Sequence, residues 1–326
     1  MTDLFDEQRK QLQDRATQVI KPLIPPDAHE RVTRAHRQFN QTVRDHIRSE
    51  TALRLSDEKG QLALPVRIED GFPIGLAKLI DSNRDPVLWR LILAQPRLGA
   101  IIDGLNFLLE DWEAFERWPH LPLIAKGGGP TLLRTRDIAA ELQKVMLAQQ
   151  VRQQVKKIGE DILGTYFFQA GKSPWIELYW MAIALVAAMQ DVRIEDLTVV
   201  VLAHELTHGY THIGRDIDGR QWDDGAFAKS EAGVIEGLAQ FYTQVVAAKL
   251  ATRYPGTYTA YEKLLDLQDG PYLAHKDWLP KEKERRGEAV RFTMIAARSG
   301  GAMEHAVWSQ LLQQTHKSLR REQVQK

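Results

Sequence analysis

The chain has 326 residues, 44% of them hydrophobic, which is enough for a substantial core in two or three packed subdomains. Lys and Arg number 43, as do Asp and Glu, so the formal net charge is +0 and no global field draws the chain to nucleic acid or to an anionic membrane. There is no cysteine, which excludes disulfides and thiolate metal sites and fits a reducing compartment.

The first ten residues, Met1 to Lys10, are polar and carry no apolar signal core, so a cytoplasmic protein is expected. A polar helix is expected from Asp27, as its cap, to about Ser49. Leu62 to Ile68 reads as an edge strand or extended segment, because Pro65 disfavours a central one. Ile101, Ile102, Leu105, Leu108, Leu109, Trp112 and Phe115 follow helical spacing and form an apolar face that must pack on something. Trp118 to Pro130 is the clearest linker. Its Gly127-Gly128-Gly129 lacks the Lys-Ser or Lys-Thr of a phosphate loop. Thr135 is expected to cap a helix reaching about Ile158, with Ile138, Leu142, Val145, Val155 and Ile158 on its buried side.

Gly164 to Phe168 and Ile176 to Trp180 read as strands, separated by a turn-like Gln169 to Pro174. The second is expected at the edge of a small sheet, where an extended peptide can add as a further strand. Met181 to Gln190 is helical in pattern. A break at Asp191 to Arg193 precedes another helix, with Glu195 and Asp196 in its first turn. The most apolar stretch, Trp175 to Met189, contains Glu177 and is too short to span a bilayer.

That next helix holds His204-Glu205-Leu206-Thr207-His208, an H-E-x-x-H run that follows the apolar Thr198 to Ala203. Residues four apart share a helix face, so both imidazoles can reach one ion. Glu205 beside them is placed to act as a general base. Two neutral nitrogen ligands and an adjacent carboxylate are the set that zinc-assisted hydrolysis uses. A catalytic zinc site takes three protein ligands. Glu236, in the helical Val234 to Tyr242, is the favoured third, and Glu231, about one turn earlier, is the alternative. His212 lies one turn beyond His208. Three histidines of one straight helix fit a single ion poorly, so His212 is expected to line the cleft or to make an ordinary hydrogen bond.

H-E-L-T-H followed by a glutamate on a later helix resembles the gluzincin metallopeptidases, the thermolysin-like and aminopeptidase-like branch of the zincins. The metzincin pattern is absent, because its third histidine position is Gly214. Glu236-Gly237-Leu238-Ala239 is similar to the E-G-x-A of aminopeptidase-type members, although Ile235 replaces their preceding Asn. The resemblance implies His204, His208 and Glu236 as Zn2+ ligands and Glu205 as general base. Where thermolysin-like members carry an Asp that orients the first histidine, this chain has Gln240, which can still accept a bond from an imidazole N–H. In that family a Tyr or His of the C-terminal lobe stabilises the oxyanion. Tyr272 and His275, in the loop from Gly270 to Trp278, are the candidates here.

The expected architecture is α+β, mainly α. An N-terminal helical region (1–130) precedes a zincin-like catalytic core with a small sheet beside the active-site helix (131–250), and a helical C-terminal lobe (251–326) follows. The expected function is zinc-dependent peptide hydrolysis. The alternative is a non-catalytic, zinc-stabilised interaction module, which would have no need of Glu205. A peptide or protein is the expected substrate, with neither nucleic acid nor membrane as a partner. The N-terminal region is a candidate for recruiting a regulatory partner.

Overall fold

The computed structural model describes residues 2–55, 64–110, 129–148, 154, 162–169, 171–278 and 285–324. The fold is α+β and mainly α: helices surround one three-stranded sheet. The N-terminal part runs through α1 (Thr2–Ile20), α2 (Ala28–Thr51), β1 (Val66–Glu69), α3 (Ile74–Ser82) and α4 (Pro86–Glu110). Then come α5 (Gly129–Ala148), β2 (Gly164–Phe167), β3 (Trp175–Tyr179), α6 (Trp180–Gln190) and α7 (Ile194–Ile213). The remainder comprises α8 (Asp224–Lys229), α9 (Ala232–Leu250), α10 (Pro255–Leu265), a 3-10 turn (Gly270–Leu273), α11 (His275–Trp278), α12 (Arg286–Ala297) and α13 (His305–Val324).

α6 is apolar around its whole circumference, so it is buried on every side between the sheet and its neighbours. Asp191 ends it in the left-handed conformation, with its N–H bonded back to Ala187 and Ala188. α7 starts three residues later and is buried continuously from Asp196 to His212. Each large aliphatic side chain buried there contributes about 1.5–3 kcal/mol. That gain offsets the desolvation of the polar groups α7 carries inward.

α2 covers one flank of α7. Val32, Ala35, Phe39, Val43 and Ile47 recur at helical spacing and form its buried stripe. Two bonds of 2.8 Å from Arg31 to the carboxylate of Glu195 tie the start of α2 to the start of α7. Near the other end, the Tyr210 hydroxyl donates to the Arg44 carbonyl at 3.2 Å. α9 returns along another flank and packs on the 3-10 turn, so the C-terminal third closes over α7. Trp278 lies so close to α9 that a Cβ on Gly237 would come within 2.4 Å of its ring, so only glycine fits beside Glu236.

The sheet order is β1-β3-β2. β1 pairs with β3 in parallel, Val66 opposite Ile176, and β2 pairs with β3 antiparallel, Gly164 opposite Leu178. The 176–180 segment is therefore the central strand and not an edge. The expectation fails because β1, some hundred residues earlier in the chain, covers its second side. The edges are β1, preceded by Pro65 as anticipated, and β2, which lies against α7.

One hydrophobic core runs from Ala16 to Leu319 and takes in residues of all three expected regions, so position 130 does not separate two cores. Thr135 does not cap its helix. α5 begins at Gly129, and the Thr135 hydroxyl donates to the Thr131 carbonyl from the helix interior. Ile138 and Leu142 are exposed rather than buried, as are Ile101 and Leu108 on α4. The two helices pack on each other and leave these side chains outward. The linker from 118 to 128, Trp112, Phe115, and the helix expected beyond 148 lie outside the described residues. Among the described residues no helix is long and apolar enough to cross a membrane.

Candidate metal centre

His204 and His208 share one face of α7 and meet Glu236, which sits in the second turn of α9. Nε2 of His204 lies 3.2 Å from Nε2 of His208 and 3.2 Å from Oε2 of Glu236, and the His208–Glu236 edge is 3.4 Å. These three atoms form a nearly equilateral triangle. Bonds of about 2.0–2.1 Å to a tetrahedral ion place its ligand atoms about 3.3 Å apart, so the triangle has the dimensions of one face of such a tetrahedron. Hydrogen bonding alone accounts for the triangle less well. Each Nε2–H can point at one acceptor, and with both imidazoles donating to Glu236 the His204–His208 edge would hold two donors face to face. A cation at the centre satisfies all three edges, so the donor set fits a metal ion.

Burial opposes charge on Glu236, but the His208 and His204 rings outweigh it and hold the carboxyl well below the usual range. Glu236 therefore presents a carboxylate to the two rings. Glu231 does not belong to the cluster. It is exposed at the N-terminus of α9, where its Oε2 accepts from the His305 backbone N–H at 3.0 Å. Of the two carboxylates, Glu236 is the one that meets the imidazoles.

Glu205 is buried on the same helix, 1% exposed. β2 passes directly beside it. A Cβ on Gly164 would stand 2.8 Å from Glu205 Cγ and 3.0 Å from its Oε1, so the strand approaches only because residue 164 has no side chain. Two residues on, and on the same face of β2, the Tyr166 ring lies 6.3 Å from the His208 ring at an interplanar angle of 17°. On the other side of the pair, the Tyr272 ring lies 6.0 Å from that of His204. An aromatic ring thus neighbours each of the two histidines.

The remaining sequence candidates are placed as follows. His275, which was expected alongside Tyr272 at the oxyanion position, is buried on the far side of the turn. Its Nε2 lies 3.1 Å from the Tyr261 hydroxyl and its Nδ1 3.1 Å from the Tyr272 carbonyl. Its ring therefore braces the loop that carries Tyr272. Gln240, expected to orient an imidazole, is buried and donates its amide to Gln268 at 2.7 Å. His212 is wholly buried and sits outside the ligand triangle, between Tyr166 and Asp224. From the sequence, Gly164 and Tyr166 are legible only as strand residues and Asp224 only as a solvated or capping group of the connecting loop. Alternation along β2 supplies a signal for Tyr166, since residue 166 faces the same way as residue 164. Asp224 gives no comparable signal.

Comparison with models of protein families, with curated proteins and with solved structures yields no match. The chemistry of the centre therefore rests on its own geometry.

Proposed function

We propose that this protein is a zinc-dependent metallopeptidase of gluzincin type, with His204, His208 and Glu236 holding Zn2+ and Glu205 serving as general base. The observation that carries the reading is the 3.2, 3.2 and 3.4 Å triangle of ligand atoms with a buried carboxylate one residue from its first corner. Two imidazoles and one carboxylate make zinc the default metal. When bound, the ion supplies Lewis acidity, which acidifies a water and polarises a carbonyl.

The chain's own residues supply the rest. Glu205 takes a proton from the attacking water and delivers it to the departing amine. Low exposure of Glu205 excludes competing solvent and fixes its rotamer against β2. Tyr272, next to His204, is the group to donate a hydrogen bond to the oxygen that gains charge. Among the described residues β2 pairs with β3 alone, so its second edge is the one on which an extended peptide would add as a further strand. We read the edge strand, the motif helix and the return helix that carries Glu236 as a zincin-like core. Burial of a carboxylate against a strand has no purpose in a merely structural zinc site, which speaks against the non-catalytic alternative.

Metal analysis of wild type and Glu236→Ala, with wild type and Glu205→Gln assayed on a peptide library, tests the proposal. Wild type should bind one zinc per chain and cleave. Glu236→Ala should lose the metal. Glu205→Gln should keep it while cleavage falls by about 10²–10⁴-fold. Full metal occupancy in Glu236→Ala, or undiminished cleavage by Glu205→Gln, would refute it.

A further inference from the structure

We infer that Tyr166 is a positioning residue for His208, held in place by a chain of contacts that runs from Tyr166 through the buried His212 to the half-exposed Asp224. The inference rests on the reading that His208 binds a metal ion.

The chain joins three separate elements. Tyr166 projects from β2 and lays its ring nearly parallel to the His208 imidazole, 6.3 Å away. Its hydroxyl lies 2.9 Å from Nδ1 of His212. His212 is one turn beyond His208 on α7, so the ligand and its brace stand on one rigid helix. The His212 ring is clamped flat against Phe227 at 4.2 Å and edge-on to Phe168 at 4.6 Å. Its Nε2 lies 3.1 Å from Oδ1 of Asp224, the first residue of α8.

Donor and acceptor counting gives the chain one direction. The Asp224 carboxylate, 3.1 Å away, favours the hydrogen on His212 Nε2 by its charge, although the contact is an ion-pair proximity and not a formed hydrogen bond. Burial lowers the His212 pKa to about 4 despite the opposing pull of Asp224, so the ring is neutral near pH 7. A neutral imidazole then has a bare Nδ1, and Tyr166 must donate its O–H to it.

α8 is itself fixed to the end of α7. The Trp222 N–H donates to the His212 carbonyl at 3.0 Å, and the Asp223 side chain caps α8 by accepting from the Ala226 N–H at 2.9 Å. Arg298 bonds the carbonyls of Gly214 and Arg220 and closes the intervening loop. Asp224 therefore reports to His212 from an anchored position. A tyrosine pinned at its hydroxyl keeps its ring beside the His208 imidazole, nearly parallel to it. On this inference the ligand is turned for coordination before any ion arrives, by the neighbouring ring and not by a hydrogen bond to His208.

The test uses the full chain in its metal-free form, with Zn2+ alone as probe in competition with a chromogenic chelator. Wild type, Tyr166→Phe, Asp224→Asn and the double variant are compared. Thermal unfolding of each metal-free protein is recorded alongside, to separate a lost fold from a lost brace. The expected result is zinc binding weakened about 10-fold or more in each single variant, with an altered visible spectrum of the Co2+ form. The double variant should be no weaker than the worse single one, because both break the same chain. In the metal-free wild type, ¹⁵N shifts should show His212 as the Nε2–H tautomer. Wild-type zinc affinity and Co2+ spectrum in Tyr166→Phe, losses that multiply in the double variant, or an Nδ1–H tautomer would each overturn the inference while leaving the metal reading intact. A wild type that binds no zinc would remove the metal reading itself, and this inference with it.

Discussion

The backbone of Gly164 lies flat against the side chain of Glu205, with no room between them for a methyl group. Gly164→Ala must therefore displace a carboxylate or a strand. The carboxylate, on a flexible side chain, is the easier to move. Zinc content is expected to stay at the wild-type level while kcat falls by about 100-fold, the penalty typical of an ångström-scale misplacement. Equal kcat in the two proteins would show that the contact does not set the position of the base.

Tyr272 and His275 are three residues apart and face different work. Tyr272→Phe removes the hydroxyl that would stabilise developing charge, so kcat should drop by about 10²–10³-fold with thermal stability unchanged. His275→Leu strands the Tyr261 hydroxyl and the Tyr272 carbonyl, and should lower unfolding free energy by about 2 kcal/mol. Urea titrations and steady-state kinetics on both variants decide the matter. A stable but inactive His275→Leu would return His275 to the chemistry.

How much of this was legible beforehand depended on the range of the contacts. His204 and His208 are spaced by helix geometry alone, so their convergence follows from the chain itself. Glu236 could be picked out because it opens a second apolar helix soon after the first. Even so, only the structure separates it from Glu231, whose carboxylate is occupied by the His305 backbone. Pairing between β1 and β3 joins residues about 110 apart, and no local pattern announces it. For the same reason 176–180 looked like an edge. The apolar faces of α4 and α5 carried a helical period that promised burial, yet period reports only that a face exists and not that something covers it.

The pair between Arg31 and Glu195 makes a pH-dependent contribution with a definite sign. The Arg31 hydrogen bond holds Glu195 below its ordinary value of 4.5. As pH falls, the unfolded chain therefore takes up this proton before the folded one does. The contribution is whole above about pH 4.5 and is lost as pH drops through the folded value. Arg31→Met should cost about 1 kcal/mol at pH 7. The gap from wild type should narrow as pH falls below 4.5, as measured by denaturant unfolding at pH 7 and at pH 3. A gap that persists unchanged at pH 3 would mean that the arginine stem, not its charge, provides the stability.

His212 titrates in the opposite sense from a surface histidine gaining an acidic partner. Burial depresses its pKa from 6.5 to about 4. Between those values the unfolded chain binds a proton that the folded chain refuses, so this group withdraws stability as pH falls through that interval and contributes nothing further below it. A ring-proton titration by NMR should find His212 neutral at pH 5.5. A midpoint near 6.5 would contradict the buried, Tyr166-bonded ring.

The parallel pairing of β1 with β3 has a consequence for how the molecule comes into being. On the ribosome α2 and β1 emerge first and stand ready as a template long before the H-E-L-T-H stretch is made. A gene fragment starting at residue 131 would yield a nascent chain with one flank of β3 bare and one flank of α7 stripped, both open to aggregation. The smallest stretch of gene able to encode this cluster thus begins with its leading helices, well upstream of His204.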